Sequence, residues 1–401
     1  MTGERRESPR RTGLLAIAVV VVAALAVVAF LLTRQPSEPP AGQASPTASA
    51  SASPTRAATQ EPTATPTATP PTAWDWAVHP LPGGPIRAGA HIGESWVALD
   101  NLQAWTSGDG ADWTDATVDP GPDRGGTTQM GPVTQMGDTW YSVGNWFSGN
   151  EQVFPFVWST QDGSTWDEVV PSQPWGYLAN DVANDGSQLA VAGNVAEFGL
   201  GHVWTSPDGS TWIEHDSDGG PSTMNAIHGD EDGFVSVGYR LDDAGNSLPT
   251  IWHSADGETW TDAELPATDQ PVALIDVVRT PSGRYLALGV VGVQIDAGAF
   301  VIWYADDPAT WTAGAELPGG ALPGLLLAVD GGSLAITNAL DGPSVRFSAD
   351  GTTWEEVADF VQADRPARAS AAATDGSTVV ILGGTLEADA NYAWVGTPLN
   401  E

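Results

Sequence analysis

The chain of 401 residues carries 50 carboxylates against 14 arginines, has no lysine, and bears a formal charge of −36. Such a surface repels phosphate backbones, which excludes a nucleic-acid-binding protein and suits a soluble exterior instead. It also has no cysteine, which excludes disulfides, thiolate nucleophiles, zinc–thiolate centres and lipid attachment at cysteine.

Residues 1–12 form a short basic tail holding Arg5, Arg6, Arg10 and Arg11. Residues 13–32 (GLLAIAVVVVAALAVVAFLL) contain no charge. At about 1.5 Å per residue such a helix crosses a hydrocarbon core of about 30 Å. The basic tail predicts a cytoplasmic N-terminus and places everything after the span outside the cell membrane. A cleavable signal peptide is the competing reading. However, the apolar run is long for one, and Thr33-Arg34-Gln35-Pro36 follows where a small-residue cleavage site is expected. Residues 33–73 are rich in Pro, Thr, Ser and Ala. They lack the apolar side chains that offset chain entropy, so a disordered, partly polyproline-II stalk is expected.

From residue 74 to 401 one phrase recurs. Ser206-Pro207-Asp208-Gly209-Ser210-Thr211-Trp212 is repeated with small edits from Ser107, Thr160, Ser254, Ala305 and Ser348. Successive phrase tryptophans (113, 166, 212, 260, 311, 354) lie 43 to 53 residues apart. This period marks a repeat architecture. In the unit spanning 180–216, a strand over 180–183 leads into the turn Asn184-Asp185-Gly186. A second strand follows over 188–193, a third over 203–206, then the phrase as a turn, and a fourth over 212–215. Four short antiparallel strands per unit describe a propeller blade, and no helical periodicity appears after residue 32. The last unit stops after a third strand at 392–396, whereas residues 74–80 resemble a fourth strand with no phrase before it. Pairing these ends gives six intact units plus one split unit. The fold expected is therefore all-β, a seven-bladed β-propeller closed by its N- and C-terminal strands.

The phrases resemble the Asp-box, or bacterial neuraminidase repeat, of sialidase-like β-propellers, with one residue fewer between Asp and Gly. The resemblance covers 74–401 and implies a hairpin between the third and fourth strands, away from the usual ligand face. It gives Asp109, Asp162, Asp208, Asp256, Asp307 and Asp350 a structural role: each can bind nearby backbone N–H groups. The glycine after each Asp supplies a positive φ. The copy at 305–311 has Ala305 for Ser and Pro308 for Gly, so its hairpin is expected to be the least regular. Thirteen of the eighteen tryptophans fall at repeat positions and are expected in the core. Trp76, Trp96, Trp140, Trp146 and Trp175 are left for other work.

A sialidase is implied by the resemblance but needs an arginine triad, a tyrosine–glutamate nucleophile pair and an aspartic acid/base. Arg87, Arg240 and Arg279, with Tyr239, Tyr285 or Tyr304, supply the residue types without a spacing that singles them out. Two-carboxylate glycosidase chemistry gains no specificity from so many acids. The six histidines are scattered, and no Gly-x-Ser-x-Gly elbow surrounds a serine. The acidic runs 216–219 and 230–233 fit ordinary turns better than calcium loops. No metal or cofactor is expected. The long, unrepetitive loops carry Arg124, Trp146, Trp175, Tyr177, Arg240, Arg365 and Arg368, the composition of a binding face. The function expected is a membrane-anchored, non-enzymatic binding or scaffold module for a glycan, peptide or envelope protein. The alternative is a sialidase-like exo-glycoside hydrolase.

Overall fold

The computed structural model describes residues 70–71, 73–121, 125–148, 152–169, 177–195, 199–216, 222–242, 245–292, 299–319, 321–339, 341–360, 366–385 and 390–399. They belong to one compact unit, Thr67–Glu401. The basic tail (1–12), the expected membrane span (13–32) and nearly all of the stalk (33–73) lie outside the described residues. Among those described, no helix is long and apolar enough to cross a membrane.

The described residues form strands throughout. First comes β1 (Ala73–Leu81), then unit 1: β2 (Ala88–Ile92), β3 (Ser95–Asp100), β4 (Gln103–Ser107) and β5 (Thr114–Val118). Unit 2 is β6 (Thr127–Met136), β7 (Thr139–Phe147), β8 (Val153–Thr160) and β9 (Thr165–Val169). Unit 3 is β10 (Tyr177–Asn184), β11 (Leu189–Val195), β12 (Leu200–Ser206) and β13 (Ile213–Asp216). Unit 4 is β14 (Ser222–Asp230), β15 (Gly233–Leu241), β16 (Ser247–Ser254) and β17 (Thr261–Asp262). Unit 5 is β18 (Val272–Arg279), β19 (Tyr285–Val291), β20 (Phe300–Asp307) and β21 (Thr310–Leu317). Unit 6 is β22 (Ala321–Val329), β23 (Gly332–Asn338), β24 (Pro343–Ser348) and β25 (Glu355–Asp359). The last unit joins β26 (Ala367–Thr374), β27 (Val379–Thr385) and β28 (Asn391–Leu399) to β1. That pairing is antiparallel and in register from Ala73↔Leu399 to Leu81↔Asn391.

Every unit is an antiparallel meander, with one departure: β5 and β9 pair in parallel at Thr117↔Thr165 and Val118↔Trp166, linking units 1 and 2 along their outer strands. Burial explains the order of strands within a unit. Second strands such as β23 are buried on both faces, because each sheet is covered by a neighbour on either side. Outer strands such as β17 are exposed. Seven apolar clusters accordingly lie between successive units rather than within them. One of these puts Trp96, Ala98 and Trp105 of unit 1 against Val380, Leu382 and Ala393 of the last unit. First strands likewise pack on one another in sequence, and β26 packs back on β2.

Side-chain staples reinforce the contact between first strands. β10, β14, β18 and β26 each carry a register shift at one position. Asn180 Nδ2 in β10 donates to Met224 O (2.7 Å), and Asn225 Nδ2 in β14 donates to Leu274 O (2.7 Å). Ser370 Oγ in β26 donates to Ile86 O (2.6 Å), crossing from the last unit to the first. Buried Asn338 accepts from Ala369 N (2.9 Å) and donates to Ala369 O (2.8 Å), bridging unit 6 to the last unit.

The recurrent turn has one geometry. Ser107 Oγ accepts from Gly110 N (2.9 Å), Asp109 Oδ1 accepts from Ala111 N (2.9 Å) and Asp112 N (3.0 Å), and Trp113 Nε1 donates to Gly110 O (3.0 Å). Asp208, Asp256 and Asp350 likewise each take two amides, and Asp162 takes that of Ser164. Gly110, Gly163, Gly209, Gly257 and Gly351 all have φ between 72° and 76°. Pro308 cannot adopt that conformation. Its hairpin is correspondingly tighter, with Asp307 paired to Thr310, two register shifts, and a single amide on Asp307, from Ala309.

Candidate functional site

Antiparallel order fixes two ends. The recurrent turns and the first-to-second-strand turns share one end of the strands. Connections between units and second-to-third-strand loops share the other, the loop end. Trp146 and Arg240 are each the next-to-last residue of their strands, β7 and β15, Tyr177 opens β10, and Arg368 is second in β26, so all four stand at the loop end. Arg124, Trp175, Arg365 and the Tyr177 side chain lie outside the described residues.

Trp146 is half-buried, stacked on Phe154 with centroids 4.9 Å apart, and its indole N–H donates to Gly125 O. Arg368 has no side-chain partner among the described residues, and its Nε is shielded from solvent without a hydrogen bond. Arg240 is engaged otherwise. It forms a two-pronged ion pair with Asp262 of its own unit and lies 5.3 Å over the Trp252 ring. Arg87, just before β2, is also at the loop end and lies 3.8 Å from Asp100. Burial lowers the Arg87 pKa and raises that of Asp100.

The remaining triad candidate is at the opposite end. Arg279 closes β18, with Nη1 2.8 Å from Asp230 and 3.0 Å from Asp232, so the acidic turn 230–233 holds a guanidinium. Tyr285 OH donates to Asp230 (3.3 Å), and Arg279 lies 5.1 Å from the Tyr285 ring centroid. Burial opposes ionisation of Asp230, but hydrogen bonds from His228, the Asp232 amide and Arg279 hold its pKa well below the usual range. Burial and the Asp230 charge push buried Tyr285 up to about 12, the wrong direction for a nucleophile. The structure therefore does not gather Arg87, Arg240 and Arg279 at one place.

Two carboxylates stand out that sequence reasoning missed. Asp181 on β10 and Asp276 on β18 sit in the first strands of units 3 and 5. Burial pushes Asp181 up to about 7, with the charge of Asp276 adding to it and amide donation from Ile227 and Val182 opposing. Burial likewise pushes Asp276 up to about 6. Raised carboxylates are candidates for acid/base work. Each also serves as a staple: Asp181 accepts from Ile227 N (2.8 Å) and Asp276 from Leu326 N (2.7 Å), both in the first strand of the next unit. Only the register shift beside each residue marks these positions, and the sequence does not display it. Among the described residues, no three His, Cys, Asp or Glu side chains group as a metal site.

No family model matches the chain, and no curated protein matches it. Solved structures do. A protein of unknown function from Dyadobacter fermentans is 16% identical, with 82% of this chain and 99% of that chain covered, at a TM-score of 0.47. An α-L-arabinanase from Penicillium chrysogenum, complexed with arabinobiose, is 15% identical, with 66% and 91% covered, at 0.45. A Trypanosoma rangeli sialidase in complex with sialic acid is 12% identical, with 78% and 60% covered, at 0.45. None of these likenesses is close enough to assign chemistry.

Proposed function

We propose that residues 74–401 form a seven-bladed Asp-box β-propeller held outside a bacterial cell on the 33–73 stalk and the 13–32 anchor. Its loop end is a non-enzymatic recognition face for a glycan, peptide or envelope protein. The observation that carries this reading is a half-exposed aromatic stack and, at the same strand end, a guanidinium with no side-chain partner among the described residues. Arg368, Arg87 and Trp146 come from three successive units (the last, the first and the second) at the same strand end. A flat ring and a cation on one face suit a hydroxylated or carboxylated ligand. The test is capture by the purified chain on a glycan array and from envelope extracts. Trp146→Ala and Arg368→Ala are expected to weaken capture without lowering the melting temperature, and unchanged capture would remove both from the face.

A second reading is an exo-glycoside hydrolase of the sialidase type, for which Asp181 and Asp276, raised by burial, are the candidate acid/base groups. Chromogenic sialosides and arabinosides, assayed with wild type, Arg87→Ala, Asp181→Asn and Asp276→Asn, separate the two. The first reading expects no turnover by any variant. Turnover by wild type, lost on removing a carboxylate or Arg87, would establish the second.

A further inference from the structure

We infer that the outer edge of β1 is a self-pairing surface, joining two copies of this chain through antiparallel β1–β1 contact centred on Ala77. The outermost strands differ in how their edges are covered. β5 and β9 cover each other. β21 is bridged by Glu264, whose N–H donates to Ala309 O (2.8 Å) and whose carbonyl accepts from Trp311 N (3.0 Å). β13, β17 and β25 have four, two and five residues, so each offers a much shorter edge than β1. β1 has nine residues, lies at the end of its sheet and, among the described residues, pairs with β28 alone, with β25 of unit 6 close by but not hydrogen-bonded to it as a strand. An edge of that length presents a row of backbone donors and acceptors, broken only at Pro80, which has no N–H.

The strand's own sequence selects the occupant. With Ala77 opposite itself, Asp75 faces His79 of the second copy, a carboxylate acceptor opposite an imidazole that can donate. On the other face Trp76 stands opposite Val78, a residue 46% exposed in the single chain. Neither Asp75 nor His79 has a side-chain partner among the described residues, and both stand on the Ala77 face of the strand. Shifting the register by one or two residues puts Asp75 opposite Val78 or Ala77 and removes the match. A single strand pair buries less than the roughly 1,000 Å² of a stable interface. The association is therefore weak, and covalent trapping is the appropriate readout.

The absence of cysteine makes the full chain, purified in detergent, a clean background. Paired Ala77 Cα atoms lie about 4.5–5.5 Å apart, within disulfide reach. Two Asp75 residues lie about 13 Å apart, at about 3.3 Å per residue, and are out of reach. Mild oxidation is therefore expected to dimerise Ala77→Cys and the double variant Asp75→Cys/His79→Cys, and to leave Asp75→Cys and the β5 control Thr114→Cys monomeric. Adding Val78→Lys to Ala77→Cys should suppress the dimer while the melting temperature holds. Equal cross-linking by all single cysteines, or none by Ala77→Cys, would overturn the proposal.

Discussion

Replacing Gly110 with alanine probes the joint between the first unit and the last. Gly110 has φ +76°, and a Cβ built there would lie 2.8 Å from Val380 Cγ2 and 3.1 Å from Val395 Cγ2, both in the last unit. The left-handed conformation costs a non-glycine residue about 1–2 kcal/mol. Crowding in a packed interface adds about 1–3 kcal/mol, for a combined loss of about 2–5 kcal/mol. Two controls separate these costs. Gly93 has φ +62° with nothing within 4 Å of its Cβ site, so Gly93→Ala should lose only the conformational part, about 1–2 kcal/mol. Gly108 has neither constraint, so Gly108→Ala should fall within about 0.5 kcal/mol of wild type. Urea denaturation at constant slope reads all three. If Gly110→Ala were no worse than Gly93→Ala, the turn would not be seated on the last unit and the reasoning would fail.

Stability should also titrate with opposite signs on either side of pH about 4. Asp181 and Asp276, raised to about 7 and about 6, contribute stability that is present below the unfolded value of 3.8 and lost as pH rises through 6 to 7. Backbone amides lower the pKa values of Asp109, Asp162, Asp208, Asp256 and Asp350, so their contribution is present above about pH 4 and lost on acidification. Urea midpoints measured across this range should fall from pH 5 to 7 in wild type, and Asp181→Asn/Asp276→Asn should flatten that limb. An unchanged slope in the double variant would contradict the assignment. Asn338→Ala should cost about 2–4 kcal/mol, because it strands the buried N–H and C=O of Ala369. A loss under about 1 kcal/mol by urea midpoint would show that water replaces the staple.

The repeating turn was legible because its chemistry is local. An aspartate accepting its own downstream amides, a glycine at positive φ and a tryptophan three residues after the glycine leave the same mark in five of the six copies. The split unit was legible for the same reason: β1 and β28 each lack what the other has. Long-range pairing left no such mark. The parallel contact of β5 with β9 joins two outer strands whose sequences resemble the others, and the first-strand bulges leave no pattern in residue types. Trp96 and Trp76 fall outside the repeat positions, yet Trp96 lies in the core between the last unit and the first. Trp76 stacks with Trp74 (5.8 Å) and meets Phe360 edge-on (5.3 Å). The candidate face was readable only as composition. Whether an arginine such as Arg240 is available depends on which carboxylate folding places beside it.

The most direct test of the joined ends uses one pair of introduced cysteines. Asp75 and Thr397 are exposed and directly opposed in the β1–β28 register, at a separation that suits a disulfide. Mild oxidation of Asp75→Cys/Thr397→Cys at high dilution should close an intramolecular bond in nearly every molecule and stabilise the fold by up to about 5 kcal/mol. Free thiols that persist under oxidation, or a bond that forms only after unfolding, would mean that the two ends do not share a sheet.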